Sequence, residues 1–222
     1  MKYALIFIIF GIFYLILGLN FPSLAALFFW FSISFMTVGA AYGGLGAKVF
    51  GKKSNGSLSS WSLCLLMPYL CLTWVIWYIQ RWLSSEDCCN RIAPGIWLGR
   101  RPLAHELPKT INLIIDLTAE FRELPSVISD TTYICVPTLD TSVPPNGVVQ
   151  NLIHTICHWQ GDVYIHCALG HGRSATVAAA VLLAKGLVDN VDEAETYLKK
   201  LRPGIQFSQA QRSLLQRMSF EL

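Results

Sequence analysis

A thiol and a guanidinium stand six residues apart in the second half of the chain. Residues 163–174 read VYIHCALGHGRS, in which Cys167 and Arg173 enclose Gly170 and Gly172. An apolar, β-branched run precedes this stretch and an alanine-rich run follows it, so the pattern predicts a strand, a tight turn and a helix. Backbone N–H groups converge in such a turn, and the helix N-terminus adds partial positive charge. The turn is therefore a predicted anion site.

The residue types in this turn suit a phosphate. Gly170 and Gly172 are expected to adopt positive φ and to let the backbone approach the ligand closely. Arg173 supplies a planar fork that matches two phosphate oxygens, and its charge together with the N–H groups favours a thiolate at Cys167. We call residues 167–173 the phosphate loop, and its predicted phosphate-binding members are Ala168, Leu169, Gly170, His171, Gly172 and Arg173.

A thiolate that faces a bound phosphorus atom can attack it. The attack forms a cysteinyl-phosphate and expels an alkoxide or phenoxide, which needs a proton from a general acid. The loop, the charge of Arg173 and the thiolate supply the charge stabilisation for this step, so the sequence predicts no metal and no cofactor.

The block His166–Ser174 matches the pattern H-C-x5-R-S/T, and residues 83–222 resemble a dual-specificity phosphatase of the protein tyrosine phosphatase superfamily. The segments GIWLG, IIDLT and DEAETYLKKLRPGI also resemble segments of that family, but less specifically. The resemblance implies that Asp140, 27 positions before Cys167, is the general acid. It also implies that the Ser174 hydroxyl hydrogen-bonds the thiolate and helps it leave, and that His166 supports the loop.

Other carboxylates and amides compete for these roles. Asp116 lies inside an apolar strand and is expected to fix backbone, while Asp130 and Glu123 are the next candidate acids. A glutamine positions the hydrolytic water in some relatives, and Gln209 or Gln211 could do so here, although a surface helix position is the expectation for both.

The spacing of one histidine pair is compatible with metal binding. His154 and His158 stand four apart on a helix but have no third ligand, so a solvated helix face is expected rather than a metal site.

Two other families that place a cysteine in an anion-binding loop do not fit the sequence. Low-molecular-weight tyrosine phosphatases carry this loop before the acid, the reverse of the order here. Rhodanese-type sulfur transferases need neither an arginine at position 173 nor an upstream acid.

The composition indicates that part of the chain lies in lipid. Of 222 residues, 53% are apolar and only 14% are charged. Residues 1–82 contain five basic and no acidic residues, and the rest contains 12 basic and 14 acidic ones, which divides the net charge of +3 into +5 and −2. A basic globular face for nucleic acid is absent from this pattern.

Three membrane spans are predicted, at residues 3–19, 24–46 and 61–80, within an anchor of residues 1–82. No charged side chain occurs from Tyr3 to Ala47, a run long enough for two crossings with a turn at Asn20–Ser23. The apolar stretch is long for a cleaved signal peptide, and no small-x-small cleavage site follows it.

The charges flanking the spans do not decide the sidedness. Lys48, Lys52 and Lys53 favour a cytoplasmic second loop, whereas a group of arginines after the third span pulls the other way. The seven cysteines form no spaced disulfide framework, which indicates a reducing compartment and favours a cytoplasmic catalytic domain.

Residues 83–222 alternate in the manner of one α/β domain, with a central sheet flanked by helices. Strands are predicted at 95–99, 111–118, 132–138 and 162–167, and helices at 147–160, 173–186, 191–201 and 208–218. The expected partners are the bilayer and a phosphorylated protein or phospholipid. The expected activity is that of a dual-specificity protein phosphatase. Alternatives are a phosphatase for lipid phosphomonoesters, such as phosphatidylglycerophosphate or a phosphoinositide, and a non-catalytic phosphate-binding membrane module.

Overall fold

A computed structural model of the chain describes residues 2–218. The chain divides into two compact units. The first holds the residues up to Lys53 together with Ser57–Leu83 and Ala119–Arg122. The second holds Ser54–Gly56, Ser84–Thr118 and the residues from Glu123 onward.

Three long helices form the first unit: α1 (Lys2–Asn20), α2 (Ala25–Ala40) and α3 (Ser60–Leu83). A short 3₁₀ turn at Pro22–Leu24 joins α1 to α2, and π and 3₁₀ turns extend the chain beyond α2 to Phe50. The helical stretches Lys2–Asn20, Pro22–Leu45 and Ser60–Leu83 are each long and apolar enough to cross a membrane. These helices are close in position to the three predicted spans.

Small residues let α1 and α2 lie close together. A Cβ placed on Gly11 would come within 2.5 Å of the Met36 side chain, and one on Gly39 would come within 2.7 Å of Ile8. Close backbone approach of this kind supports helix association in lipid, where no hydrophobic driving force acts between helices. A hydrogen bond joins α2 to α3 as well, because the Trp30 indole donates to the Cys64 carbonyl at 2.9 Å.

The second unit is a five-stranded sheet with helices around it, which confirms the predicted α/β class. Its strands are β1 (Cys89–Ala93), β2 (Ile96–Arg100), β3 (Ile111–Thr118), β4 (Thr132–Thr138) and β5 (Asp162–Cys167). The strand order is β1-β2-β5-β3-β4, with β1 antiparallel to β2 and the other pairs parallel. The helices are α4 (Pro125–Ile128), α5 (Asn146–His158), α6 (Arg173–Ala184), α7 (Val191–Leu201) and α8 (Gln209–Arg217).

One strand was not predicted. β1 lies just before the predicted strand at 95–99, and the two form a hairpin around Gly95, whose φ is 74°. The sequence of β1, CNRIA, has no alternating apolar pattern and only one fully buried side chain, that of Ile92. An edge strand with one inward residue carries little periodic signal.

The topology places the end of β5 at the centre of the sheet. β5 lies between β2 and β3, and parallel strands bring their carboxyl ends to one edge of the sheet. In the strand register, Arg100 stands beside Cys167 and Asp116 beside His166. The residues that follow β5, β3 and β4 therefore meet at this edge.

Candidate active site

The phosphate loop joins β5 to α6, as the sequence predicted for this segment. Gly170 has φ 81°, and a Cβ there would lie 2.6 Å from the backbone of Gly99, so both the conformation and the space require glycine. Gly172 differs from the expectation of positive φ. It is the residue before α6, with φ −113°, and its missing side chain makes room for the Gln211 amide, which a Cβ would meet at 3.2 Å.

Carbonyl groups of the loop are held from its outer side. The Ala168 carbonyl accepts a hydrogen bond from the Arg101 amide at 3.2 Å, and the Leu169 carbonyl accepts one from the Arg202 guanidinium at 2.9 Å. A loop that turns its amides inward must leave its carbonyls facing outward, where buried acceptors need donors. These two bonds supply such donors.

The Cys167 thiol lies at the centre of the loop and is buried. Its sulfur accepts from the Gly170 amide at 3.3 Å and from the Ser174 hydroxyl at 3.2 Å. Two hydrogen-bond donors, one from the backbone and one from a side chain, therefore point at this one sulfur. The structure thus brings Ser174 to the atom on which the resemblance predicted it to act.

Arg173 reaches the same site from the first position of α6 and is 1% exposed. Its Nη1 donates to the Thr138 carbonyl at 2.9 Å, and its Nε lies 3.4 Å from the Asp140 Oδ1. The end of β4 therefore holds the guanidinium and also carries the candidate acid. The Asp140 side chain is 64% exposed, so its carboxyl group is open to a ligand from solvent.

The segment that follows Asp140 is tied to helix α8. Thr141 has a φ of 60°, which is rare for a β-branched residue, and its carbonyl accepts from the Ser208 hydroxyl at 3.3 Å. Ser208 also caps α8, because its hydroxyl accepts from the Gln211 amide while the Gln211 side chain accepts from the Ser208 amide.

Gln211 is buried beside the phosphate loop, and the expectation of a surface position is wrong for it. Its Nε2 has no hydrogen-bond partner within residues 2–218. Gln209, by contrast, is exposed, as expected. The predicted helix at 208–218 and the capping pattern S-x-x-Q at 208–211 both place Gln211 in the first turn of a helix, but neither signal indicates that its side chain is buried.

A buried polar cluster lies beneath the loop, around His166. The imidazole Nε2 is 3.6 Å from the Glu123 Oε2 and 4.0 Å from the Asp116 Oδ1, and all three side chains are fully buried. The Arg101 guanidinium compensates the negative charge of Glu123, because one of its nitrogens lies 3.5 Å from the Glu123 Oε1. The ring also stacks on Tyr164, with 5.6 Å between the ring centres. Two carboxylates and an aromatic ring thus surround the His166 imidazole, an arrangement compatible with the predicted role of supporting the loop.

Asp116 fixes local structure, as expected for this carboxylate. Its Oδ1 accepts from the Thr118 amide and hydroxyl, both at 2.8 Å, and its Oδ2 accepts from the Tyr133 hydroxyl at 2.6 Å. Burial, followed by the adjacent Asp116 charge, raises the pKa of Tyr133 and keeps this phenol a donor. Both oxygens of this buried carboxylate are thus engaged in hydrogen bonds that hold the end of β3 and Tyr133.

Three side chains of this cluster could hold a metal ion by position, because the ligand atoms of Asp116, Glu123 and His166 lie within 4.8 Å of one another. The Arg101 guanidinium beside Glu123 already compensates charge there, which disfavours a dication. The other sequence candidates lie elsewhere. Asp130 is exposed next to Ser129, and His154 and His158 stack on the exposed face of α5.

The comparisons with known proteins match the second unit. Residues 96–219 fit the family model of the dual specificity phosphatase catalytic domain. A curated relative, mouse dual specificity protein phosphatase 18, is 29% identical over 104 residues, which are 45% of this chain and 52% of that protein. The chain thus matches about half the length of this relative.

Solved structures share the fold. The crystal structure of PTPMT1 in complex with PI(5)P is 23% identical, with a TM-score of 0.52, over 58% of this chain and 92% of that one. Tk-PTP in its active form is 23% identical, with a TM-score of 0.53, over 58% of this chain and 94% of that one. With the family model covering more than half of its residues, the chain belongs to the dual-specificity phosphatase family.

Proposed function

We propose that this protein is a membrane-anchored, cysteine-dependent phosphatase that hydrolyses phosphomonoesters through a cysteinyl-phosphate, and that it acts as a dual-specificity protein phosphatase. The observation that carries the proposal is the convergence on Cys167. A loop amide and the Ser174 hydroxyl point at its sulfur, and Arg173 stands at the end of the same loop beside Asp140.

The first half-reaction forms the intermediate. The phosphate group binds to the loop amides and to the Arg173 fork, and the Cys167 thiolate attacks phosphorus. A sulfur–phosphorus bond forms while the bond from phosphorus to the ester oxygen breaks. Asp140 gives its proton to that oxygen, so the product leaves as a neutral alcohol or phenol.

The second half-reaction returns the enzyme. Water attacks the cysteinyl-phosphate, the Asp140 carboxylate takes a proton from that water, and the sulfur–phosphorus bond breaks to release inorganic phosphate and the thiolate. Ser174 stabilises the charge that returns to sulfur. Within residues 2–218 the buried Nε2 of Gln211, beside Gly172, has no hydrogen-bond partner, which supports a role for Gln211 in orienting the water.

A lipid phosphomonoester is the second candidate substrate. Three helices long and apolar enough to span a bilayer support it, because tethering raises the effective concentration of a substrate confined to the same surface. The solved PTPMT1 structure contains PI(5)P, although that likeness concerns the fold.

The mechanism is tested with the full chain in detergent and an aryl phosphate as substrate. We expect turnover in the presence of chelators, no turnover in Cys167→Ser, and retained binding of tungstate by that variant. Activity abolished by chelators, or turnover that survives Cys167→Ser, would contradict the mechanism.

The substrate class is tested in vesicles that contain the full chain. The ratio of kcat/KM for phosphopeptides to that for vesicle-borne phosphatidylglycerophosphate or phosphoinositide decides between the candidates. A higher value for phosphopeptides supports the protein phosphatase, and a higher value for a lipid supports the alternative. Tungstate binding without turnover of any substrate would support the non-catalytic membrane module.

A further inference from the structure

Glu86 lies against the outer side of the phosphate loop, outside the residues matched by the family model. Its Oε2 is 2.6 Å from the Nε2 of His171, a loop residue, and 3.0 Å from the Nη2 of Arg202. Its Oε1 accepts from the Gly204 amide at 3.0 Å. One carboxylate thus joins the loop to the segment that follows α7.

Arg202 carries this contact to the loop backbone. It is 1% exposed, and the Nη2 that meets Glu86 also donates to the Leu169 carbonyl at 2.9 Å. Its Nη1 donates to the Asn90 Oδ1 at 2.7 Å. Because the outward carbonyls determine where the inward amides point, a guanidinium held in place by Glu86 fixes the amides that receive the phosphate.

His171 is fixed between Glu86 and Gly204. The imidazole is partly exposed, and a Cβ on Gly204 would come within 2.4 Å of the ring. Glycine at 204 therefore leaves room for the ring, whose Nε2 lies within hydrogen-bond distance of the Glu86 carboxylate. The ring belongs to the phosphate loop, so its position constrains the loop between Gly170 and Arg173.

Glu86 is ionised at neutral pH. Burial raises its pKa, but the hydrogen bonds from His171 and Gly204 and the charge of Arg202 outweigh this effect and hold the pKa below its ordinary value of 4.5. A charged acceptor makes stronger hydrogen bonds than a neutral one, which adds to the rigidity of these contacts.

We propose that Glu86 is a positioning residue of the phosphate loop, which acts through Arg202 and His171 to hold the loop amides in the geometry of the transition state. The inference rests on the proposed phosphatase function. Glu86 is the third residue after Leu83, where α3 ends, so the geometry of the loop depends on the stretch of chain that follows the apolar helices.

The test compares Glu86→Ala, Glu86→Gln and Asp87→Asn in the full chain. Asp87 is the matched control, because it is the next residue, it is acidic, and its side chain is exposed. For each variant, kcat/KM for an aryl phosphate, the inhibition constant of vanadate and the melting temperature are measured. Vanadate mimics the transition state, so it reports loop geometry rather than overall stability.

We expect Glu86→Ala to lower kcat/KM and to weaken vanadate binding by the same factor, about 10- to 100-fold, the scale of a misplaced catalytic group. Glu86→Gln should lose less, because its amide oxygen can still accept from Gly204. Asp87→Asn should stay within about twofold of the unsubstituted chain.

Three results would overturn the proposal. Glu86 variants that melt at a lower temperature but bind vanadate normally would show a purely structural role. Equal losses in Asp87→Asn and Glu86→Gln would show a general charge effect. Normal kcat/KM in both Glu86 variants would exclude any role in catalysis.

The proposal stays testable if a variant fails to fold or if the chain is inactive. If Glu86→Ala fails to fold, Glu86→Gln decides alone, because it preserves the size of the side chain. If the unsubstituted chain turns over no substrate, the proposed function fails, and calorimetric vanadate affinities of the same variants still test the role of Glu86.

Discussion

Removing the Ser174 hydroxyl should slow one half of the reaction selectively. The hydroxyl lies 3.2 Å from the Cys167 sulfur and is fully buried, so water cannot replace it. In the first half-reaction the sulfur loses negative charge, and a donor on the thiolate stabilises the ground state more than the transition state. In the second half-reaction charge returns to sulfur, so the same donor accelerates the step.

The size of the effect follows from the strength of this hydrogen bond. A hydrogen bond to a charged group contributes roughly 1.5–3 kcal/mol, and a tenfold change in rate corresponds to about 1.4 kcal/mol. Ser174→Ala should therefore slow the breakdown of the cysteinyl-phosphate by about 10- to 100-fold. Its formation should be unchanged or slightly faster.

Stopped-flow measurement with an aryl phosphate separates the two steps. We expect Ser174→Ala to release one equivalent of phenolate per active site in a fast burst, followed by a slow steady state. Ser126→Ala, the same change at an exposed position, is the control and should match the unsubstituted chain. A steady-state rate for Ser174→Ala within about twofold of this control would refute the assignment.

Four further predictions concern single side chains. Asp140→Asn should slow alkyl phosphates by about 10²- to 10⁴-fold and nitrophenyl phosphate far less, since a good leaving group hardly needs the proton; equal losses on both substrates would place the acid elsewhere. Arg173→Lys should weaken tungstate binding at least about tenfold in calorimetry, because an ammonium cannot form the fork, and unchanged affinity would contradict this role. Gln211→Ala should increase the share of phosphate transferred to added glycerol rather than to water, and an unchanged product ratio would exclude Gln211 from orienting the water. Glu86 has a pKa below its ordinary value of 4.5, so the stability it provides is present above that pH and is lost as the pH falls through its lower folded value. The melting temperatures of the unsubstituted chain and Glu86→Gln should therefore differ at pH 7 and converge in acid, and a constant difference would refute the reasoning.

Local features of the chain were predictable from the sequence. The phosphate loop is one contiguous segment, and Cys167, Gly170, Arg173 and Ser174 each owe their position to a strand, a turn and a helix that follow one another directly. The α/β class and the three long apolar helices were likewise predictable, because they depend on the periodicity and length of apolar runs.

Contacts between distant parts of the chain were decided by the tertiary structure. Glu86 meets His171 across 85 positions, and Gln211 reaches Gly172 from a helix near the end of the described residues. Neither side chain belongs to a motif around the loop. A capping glutamine, or a glutamate in a polar linker, shows the same local sequence pattern whether its side chain is buried or exposed, so the sequence does not reveal the contact with the loop.

The physical reason lies in the range of the interactions. Backbone conformation, capping and apolar periodicity act over a few residues and leave a pattern in the sequence, so they determine the loop and its helix by themselves. The partners of a buried charge or carbonyl depend on which strands become neighbours, here β5 between β2 and β3. That order brings Glu123 and Asp116 under His166, and it is set only when the sheet assembles.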